Sequence, residues 1–246
     1  MFHVKHWLSG ELTGAGVAAD ERWMPSSDAP RLAGELLSGD PLHNAPEVRE
    51  SLADHFPAVL AFAELLAVEG ERRGLIGPRE YDRLWERHIM NSAAVVPYLR
   101  PGTLADVGSG AGLPGVVIAA MEPERSVTLI EPMERRTAWL LDVTAALGLE
   151  NVRVIRARAE EVGEEFDVVT ARAVAALDKL VKWCTPLVAP GGEMVLLKGR
   201  SAADEIERAR YALRKAAMVA ELIEAPTLPG HEPTRVVRVA RASRGG

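Results

Sequence analysis

Cysteine occurs once in the 246 residues, at Cys184. That scarcity excludes an internal disulfide framework and a clustered cysteine zinc site, and it fits a reducing compartment, with the cytoplasm as the expected location. The six histidines are scattered without metal-ligand spacing, so no metal is expected. The opening Met1-Phe2-His3-Val4-Lys5-His6-Trp7-Leu8 lacks the apolar core of a signal peptide, and no apolar run is read as long enough to span a bilayer. No membrane partner is expected either. Basic residues are scarce at the front: residues 1–71 hold four Lys/Arg against twelve Asp/Glu, so within a net charge of −6 the remainder carries +2. The acidity therefore says little about what the rest of the chain binds.

Apolar residues make up 48% of the chain, enough for one sizeable domain with an appendage. Residues 1–45 mix Gly, Pro, Ser and acids without a sustained period and read as a poorly ordered extension, with Trp7 and Trp23 unexplained. Residues 46–100 read as helices packed on the main domain. Val48, Leu52, Phe56, Val59, Leu60, Ala63 and Leu66 have helical spacing, divided by Pro57. A further helix is expected from Pro78 to about Tyr98, carrying Arg79, Arg83 and Arg87 on one face. With Arg72 these form a basic stripe that either faces a phosphate backbone or is a solvated face partnered by Glu80, Asp82 and Glu86.

The densest signal is Leu104-Ala105-Asp106-Val107-Gly108-Ser109-Gly110-Ala111-Gly112-Leu113-Pro114-Gly115, a buried strand, a glycine-rich turn and a helix entered at Leu113 and Pro114. Gly108, Gly110 and Gly112 allow positive φ and close approach of a ligand to the backbone, which suits a nucleotide cradle. Ser126-Val127-Thr128-Leu129-Ile130 reads as the next strand, and Glu131 ends it where a Rossmann-type unit places an acid on a ribose hydroxyl pair. The competing reading makes Glu131 a surface carboxylate that starts a helix before Pro132.

Beyond Glu131, strands at 152–156, 166–170, 193–198, 219–223 and 235–240 alternate with helices at 135–147, 174–187 and 202–216, with Pro190-Gly191-Gly192 as a turn. The fold class is α/β: a Rossmann-like, doubly wound, mostly parallel seven-stranded sheet over residues 101–246 with an N-terminal helical appendage. Ligands then belong at the carboxyl ends of the strands, where Gly108, Glu131, Arg158 to Glu160, Arg172 and Lys198 should converge. Gly110 to Gly115 formally matches a dinucleotide fingerprint, so a nicotinamide enzyme stays open although a second nucleotide-binding half is hard to place. Trp139 and Trp183 lie in helical patterns and are expected in the core, with base stacking as the competing reading, and His88 is expected to be structural rather than catalytic.

Several motifs in order carry a resemblance: Arg87-His88-Ile89-Met90-Asn91-Ser92, Asp106 to Gly115, Arg158-Ala159-Glu160-Glu161, Ala171-Arg172-Ala173 and Leu197-Lys198-Gly199. Over roughly residues 57–240 the chain resembles the ribosomal RNA small subunit methyltransferase G family, among the class I S-adenosylmethionine-dependent methyltransferases. The resemblance implies transfer of methyl from S-adenosylmethionine to N7 of one guanosine in the decoding-region loop of 16S rRNA, with 16S rRNA or the small ribosomal subunit as partner. It implies cofactor contacts at Gly108, Leu113, Ala159, Glu160 and Arg172. Gly110, Gly112 and Glu131 join them from the reading above. RNA is expected at Arg72, Arg79, Arg83, Arg87 and Lys198, and Arg158 and Arg172 are expected to position substrate. Guanine N7 has a free lone pair and no proton, so no catalytic base is needed and proximity dominates. Consistently, Thr170-Ala171-Arg172-Ala173 lacks the Asn/Asp-Pro-Pro-aromatic motif of amino-nitrogen methyltransferases. A small-molecule methyltransferase and a nucleotide-binding regulator without turnover remain as rival readings.

Overall fold

A computed structural model describes residues 25–241. Residues 1–24 of the expected loose extension, with Trp7 and Trp23, lie outside the described residues, and the rest of it is folded, contrary to expectation. Helix α1 (Ala29–Leu36) buries Ala29 and Ala33, and Leu37 follows one turn later with 0% exposure. The acid after it is an anchor rather than a solvated charge. Asp40 accepts hydrogen bonds from the backbone N–H groups of Leu42 (3.0 Å) and Trp85 (2.8 Å), clipping this segment to residues 45 positions away.

Helices α2 (Pro46–Leu52) and α3 (Phe56–Gly70) are joined by a short 3-10 turn, Ala53–His55. Pro57 falls in the first turn of α3, where a missing N–H costs nothing. Contrary to the expectation, the helical stretch Pro46–Gly70 is long and apolar enough by itself to cross a bilayer. Here its apolar residues Val59, Phe62, Ala63, Leu66 and Ala67 are enclosed by protein. The expected single helix from Pro78 to Tyr98 is also not formed. A 3-10 turn (Pro78–Arg83), a π-helical turn (Trp85–Met90), the short α4 (Asn91–Ala93) and another 3-10 turn (Val96–Tyr98) replace it. Changing the number of residues per turn rotates the side chains out of register, so Arg79, Arg83 and Arg87 do not form one helical stripe.

The sheet is built from β1 (Leu104–Val107), β2 (Val127–Ile130), β3 (Val152–Ile155), β4 (Phe166–Arg172), β5 (Val188–Lys198), β6 (Met218–Ala225) and β7 (Thr234–Arg241). Their order is β3-β2-β1-β4-β5-β7-β6, with β7 alone running opposite to the other six. Helices α5 (Gly115–Met121), α6 (Glu134–Ala146), α7 (Leu177–Cys184) and α8 (Ala202–Lys215) complete the alternation. Successive strand residues point to opposite faces. Leu104, Leu129 and Val168 therefore pack in one core with α3, α5 and α6, while Ala105, Ile130 and Val169 pack in the other with α7 and α8.

Two local expectations change. Pro190-Gly191-Gly192 lies within β5 as an irregularity, since Phe166 pairs with Val188 but Val168 pairs with Glu193. Helix α5 begins at Gly115 with Pro114 as its cap, later than expected, and the Leu113–Pro114 peptide is cis. Strand order reverses between β1 and β4, which opens a crevice at their carboxyl ends. After β5 the chain closes with the antiparallel β6–β7 pair, so no second nucleotide-binding half is present among the described residues.

Candidate functional site: two cavities sharing one wall

Two cavities open at the carboxyl edge of the sheet. The smaller, about 340 Å³, lies over the ends of β1 and β2, between Gly108, Glu131 and the segment Arg158-Ala159-Glu160. Gly108 has φ +69° and its N–H donates to the Ile130 carbonyl at 2.8 Å, so the backbone turns at once on leaving the strand. A Cβ there would stand 2.6 Å from Val174 Cγ2, so a side chain would have to displace the cavity's own wall.

Glu131 is 2% exposed, which excludes the surface-carboxylate reading. Its Oε2 accepts from Gly110 N–H at 3.0 Å and its Oε1 from Met133 N–H at 2.9 Å. A carboxylate has roughly four lone-pair sites, so two backbone bonds fix its orientation and leave acceptor capacity directed at the cavity. Gly110, at φ +53°, contributes through that N–H; it is not part of the lining.

Gly112 and Leu113 point elsewhere. A Cβ on Gly112 would meet Val116 Cγ2 at 2.7 Å and Phe62 Cζ at 3.2 Å, and Leu113 belongs to the core under the loop. Their place is in seating the glycine turn on α3 and α5. The tryptophans part company in the same way. Trp139 is fully buried and its Nε1 donates to the Ala111 carbonyl at 3.0 Å, bracing the loop from behind. Trp183, expected in the core, is half-buried, packs against the core on one side and lines the small cavity.

Asp106, at the root of the loop, is wholly enclosed. Burial pushes its carboxyl up to about 7, against the lowering effect of the hydrogen bond that its Oδ2 accepts from Gly115 N–H at 3.1 Å. Its Oδ1 has no hydrogen-bond partner.

The larger cavity, about 730 Å³, lies over β4 and β5 and takes in Arg87, Asn91, Arg172, Lys198, Arg208 and Thr234. The two cavities share Ala173 and Val174, and Ala173 holds φ +56° in the turn that leaves β4. Arg172 lines the larger one only. Its Nη1 donates to the His88 carbonyl at 3.3 Å, and its Nη2 to the Arg87 carbonyl at 3.0 Å and to His88 Nδ1. Three bonds of a five-donor guanidinium are thus spent on stitching β4 to the π-helical turn. No ion pair with Glu131 or Asp178 is formed. Burial lowers the Arg172 pKa to about 10.

His88 is paired at both ring nitrogens. Arg172 can only donate, so Nδ1 accepts, and Nε2 carries the proton that it gives to Glu80 Oε2 at 2.7 Å. Burial and then the neighbouring Arg172 push the imidazole pKa down to about 4, keeping it neutral.

The basic residues assigned to RNA fare unevenly. Lys198 is internal: its Nζ reaches the Ala175 carbonyl and Glu205 Oε2, each at 2.7 Å, and its side chain is 7% exposed. Arg72 pairs with Glu69. Arg83 and Arg87 both turn to Glu80, at 3.3 and 3.6 Å, while Arg79 is exposed. Of the expected set only Arg87 and Lys198 line the larger cavity, and Arg208, which the sequence did not single out, joins them. Arg136 was missed too. It lies in the first turn of α6, so the turn following the β2 acid was the signal that could have found it. Among the described residues, no group of three His, Cys, Asp or Glu side chains is placed to hold a metal.

A family model described as rRNA small subunit methyltransferase G matches residues 56–228. The chain is 48% identical over 209 residues to the ribosomal RNA small subunit methyltransferase G of Clavibacter sepedonicus, covering 82% of this chain and 98% of that one. It is 50% identical over 200 residues to the protein of the same name from Clavibacter michiganensis subsp. michiganensis, covering 80% and 94%. With that of Bifidobacterium longum it shares 46% over 216 residues, covering 81% and 98%.

Proposed function

The chain belongs to the rRNA small subunit methyltransferase G family, and we propose that it transfers a methyl group from S-adenosylmethionine to N7 of one guanosine in the decoding-region loop of 16S rRNA. The observation that carries this reading is the shared wall at Ala173 and Val174 between a small cavity built for a nucleoside and a larger, arginine-lined one. A donor in the first and an acceptor base in the second would meet there.

The small cavity fits the cofactor on its own features. Glu131 is aimed at it with unused acceptor capacity for a ribose hydroxyl pair. Gly108 leaves the backbone bare, and Ala159, Glu160 and the Trp183 indole flank the place left for an adenine. Bound there, S-adenosylmethionine supplies an electrophilic methyl on sulfur.

The acceptor needs little from the protein. N7 attacks with a lone pair already free, so the chain's contribution is orientation. Of the acids that line the larger cavity, Glu205 is engaged by Lys198 and Asp178 is not needed as a base, while His88, behind Arg172, is engaged by Glu80. An arginine that reads guanine commonly forks onto O6 and N7. N7 must stay free here, so Arg172, already committed to the backbone, shapes the wall of the larger cavity, and Arg158, which lines the small one, reaches for a phosphate of the acceptor from there. The partner is 16S rRNA or the small ribosomal subunit, approached on the Arg87 and Arg208 side, in the cytoplasm. An open cavity with arginines suits a polyanion better than a small acceptor.

The test is to incubate the protein with tritiated S-adenosylmethionine and small subunits lacking the modification, then digest the RNA to nucleosides. Label is expected in 7-methylguanosine. Label in another nucleoside, or none with both naked RNA and subunits, sinks the proposal.

A further inference from the structure

Arg136 is a cation without a counterpart. It stands in the first turn of α6 and lines the small cavity. Its Nε is closed off from solvent and hydrogen-bonds to nothing. Among the described residues it forms no ion pair. Glu134 turns to Arg156 at 3.0 Å, and both oxygens of Glu131 accept backbone N–H groups. Its Nη1 lies 3.8 Å from the point where a Cβ of Gly110 would stand, so the guanidinium rests beside the bare glycine turn.

Nε itself is shut off from a ligand, but Nη1, beside the glycine turn, has no protein acceptor among the described residues and gains most from a charged acceptor held in the cavity. We infer that Arg136 receives the α-carboxylate of the cofactor's amino-acid end, and so selects amino-acid-bearing nucleosides over truncated ones. The inference rests on the cofactor reading above, and charge narrows the choice. Adenine and ribose are neutral, the sulfonium and the ammonium are cationic, and only the carboxylate is an anion. A guanidinium beside the cationic groups would repel the ligand unless that carboxylate lay between them. Arginine also matches a carboxylate with paired, parallel donors. With Glu131 on the ribose and Ala159-Glu160 beside the adenine, the glycine-turn side is the part left for the amino-acid end.

Calorimetry on the intact chain tests this with two ligands, S-adenosylmethionine and its decarboxylated analogue, which keeps the sulfonium and the ammonium. Arg136→Met should weaken S-adenosylmethionine about tenfold to a hundredfold, the range for hydrogen bonds to a charged group, and change the decarboxylated analogue by less than about twofold. Arg136→Lys, which keeps the charge and loses the fork, should fall between and serves if the methionine variant does not fold. Equal losses for both ligands, or unchanged affinity for S-adenosylmethionine, overturn the inference. So does a variant that loses subunit binding while holding the cofactor normally, since Arg136 would then face a phosphate. Failure of the parent protein to bind S-adenosylmethionine overturns the cofactor reading itself, and this inference with it.

Discussion

The two cavities are neighbours but are made differently. The small one is lined by segments that leave consecutive strands: the turn after β1, the acid after β2 and the turn after β3, joined by the wall after β4 and one indole from α7. Short-range rules suffice for such a site, because strand order brings successive strand ends together. The large one collects Arg87 and Asn91 from the irregular N-terminal segment, Arg172 from β4, Lys198 from β5, Arg208 from α8 and Thr234 from β7. Its parts are up to 147 positions apart in sequence, from Arg87 to Thr234, and they meet only after the appendage has docked. The difference teaches that the cavity proposed for the cofactor can be local while the one proposed for the acceptor is a product of docking.

The largest effect on cofactor affinity should come from breaking the cradle where its glycine faces the wall common to both cavities. Gly108→Val combines a 2.6 Å clash with Val174 and φ +69°, a conformation that costs a β-branched residue on the order of 1–3 kcal/mol. Relief of the clash must move the wall common to both cavities. Cofactor affinity should drop by at least about a hundredfold, the equivalent of ~2.7 kcal/mol. Gly112→Ala, facing Phe62 and Val116, should lower the unfolding midpoint with far less change in affinity. If titration finds the two variants alike, the cavity is not organised around Gly108.

The second prediction separates the cavities by pH. His88, behind the large one, has its pKa lowered from 6.5 to about 4. Between those values the unfolded chain takes a proton that the native state refuses, so stability is full above pH 6.5 and is lost as pH falls towards 4. Asp106, behind the small one, has its pKa raised from 3.8 to about 7. The native state keeps a proton that the unfolded chain releases, so this contribution is full below pH 3.8 and is lost as pH rises towards 7. At roughly 1.4 kcal/mol per unit the two amount to about 3 and about 4 kcal/mol, and they oppose each other across the shared window. Asp106→Asn should therefore leave stability rising with pH between 4 and 6.5, and His88→Gln should leave it falling. Urea unfolding across that range reads both slopes. Parallel curves for the parent and both variants would refute the assignment.

The smallest effect concerns the RNA. Replacing Arg87 and Arg208 with alanine should flatten the salt dependence of subunit binding by about 0.7 to 0.9 for each phosphate no longer neutralised. Arg79→Ala, on the exposed 3-10 turn away from the cavity, should change the slope less. A larger change from Arg79 would move the RNA to the far side of the appendage and detach the large cavity from substrate recognition.

By itself the sequence determined the strand and helix succession from β1 onward, the glycine turn and the acid at the end of β2. Apolar periodicity and glycine placement are local properties, and parallel strands leave the chain little choice of where to put a ligand. In β1 and β2, Leu104, Ala105, Val107, Val127 and Leu129 are apolar and buried because strands covered on both faces admit little else. Only the tertiary structure decided which cations are spoken for. Arg72, Arg83, Lys198 and Arg172 look alike in the sequence as positive charges, yet Glu69, Glu80, Glu205 and the carbonyls of Arg87 and His88 claim them one by one. Pairing depends on side-chain reach across packed elements, and the expected helix from 78 to 98 gave way to 3-10 and π turns because tertiary anchors such as Asp40 on Trp85 N–H outweigh helical propensity. A charge left unclaimed, as at Arg136, is visible only once every neighbouring carboxylate has been assigned its partner.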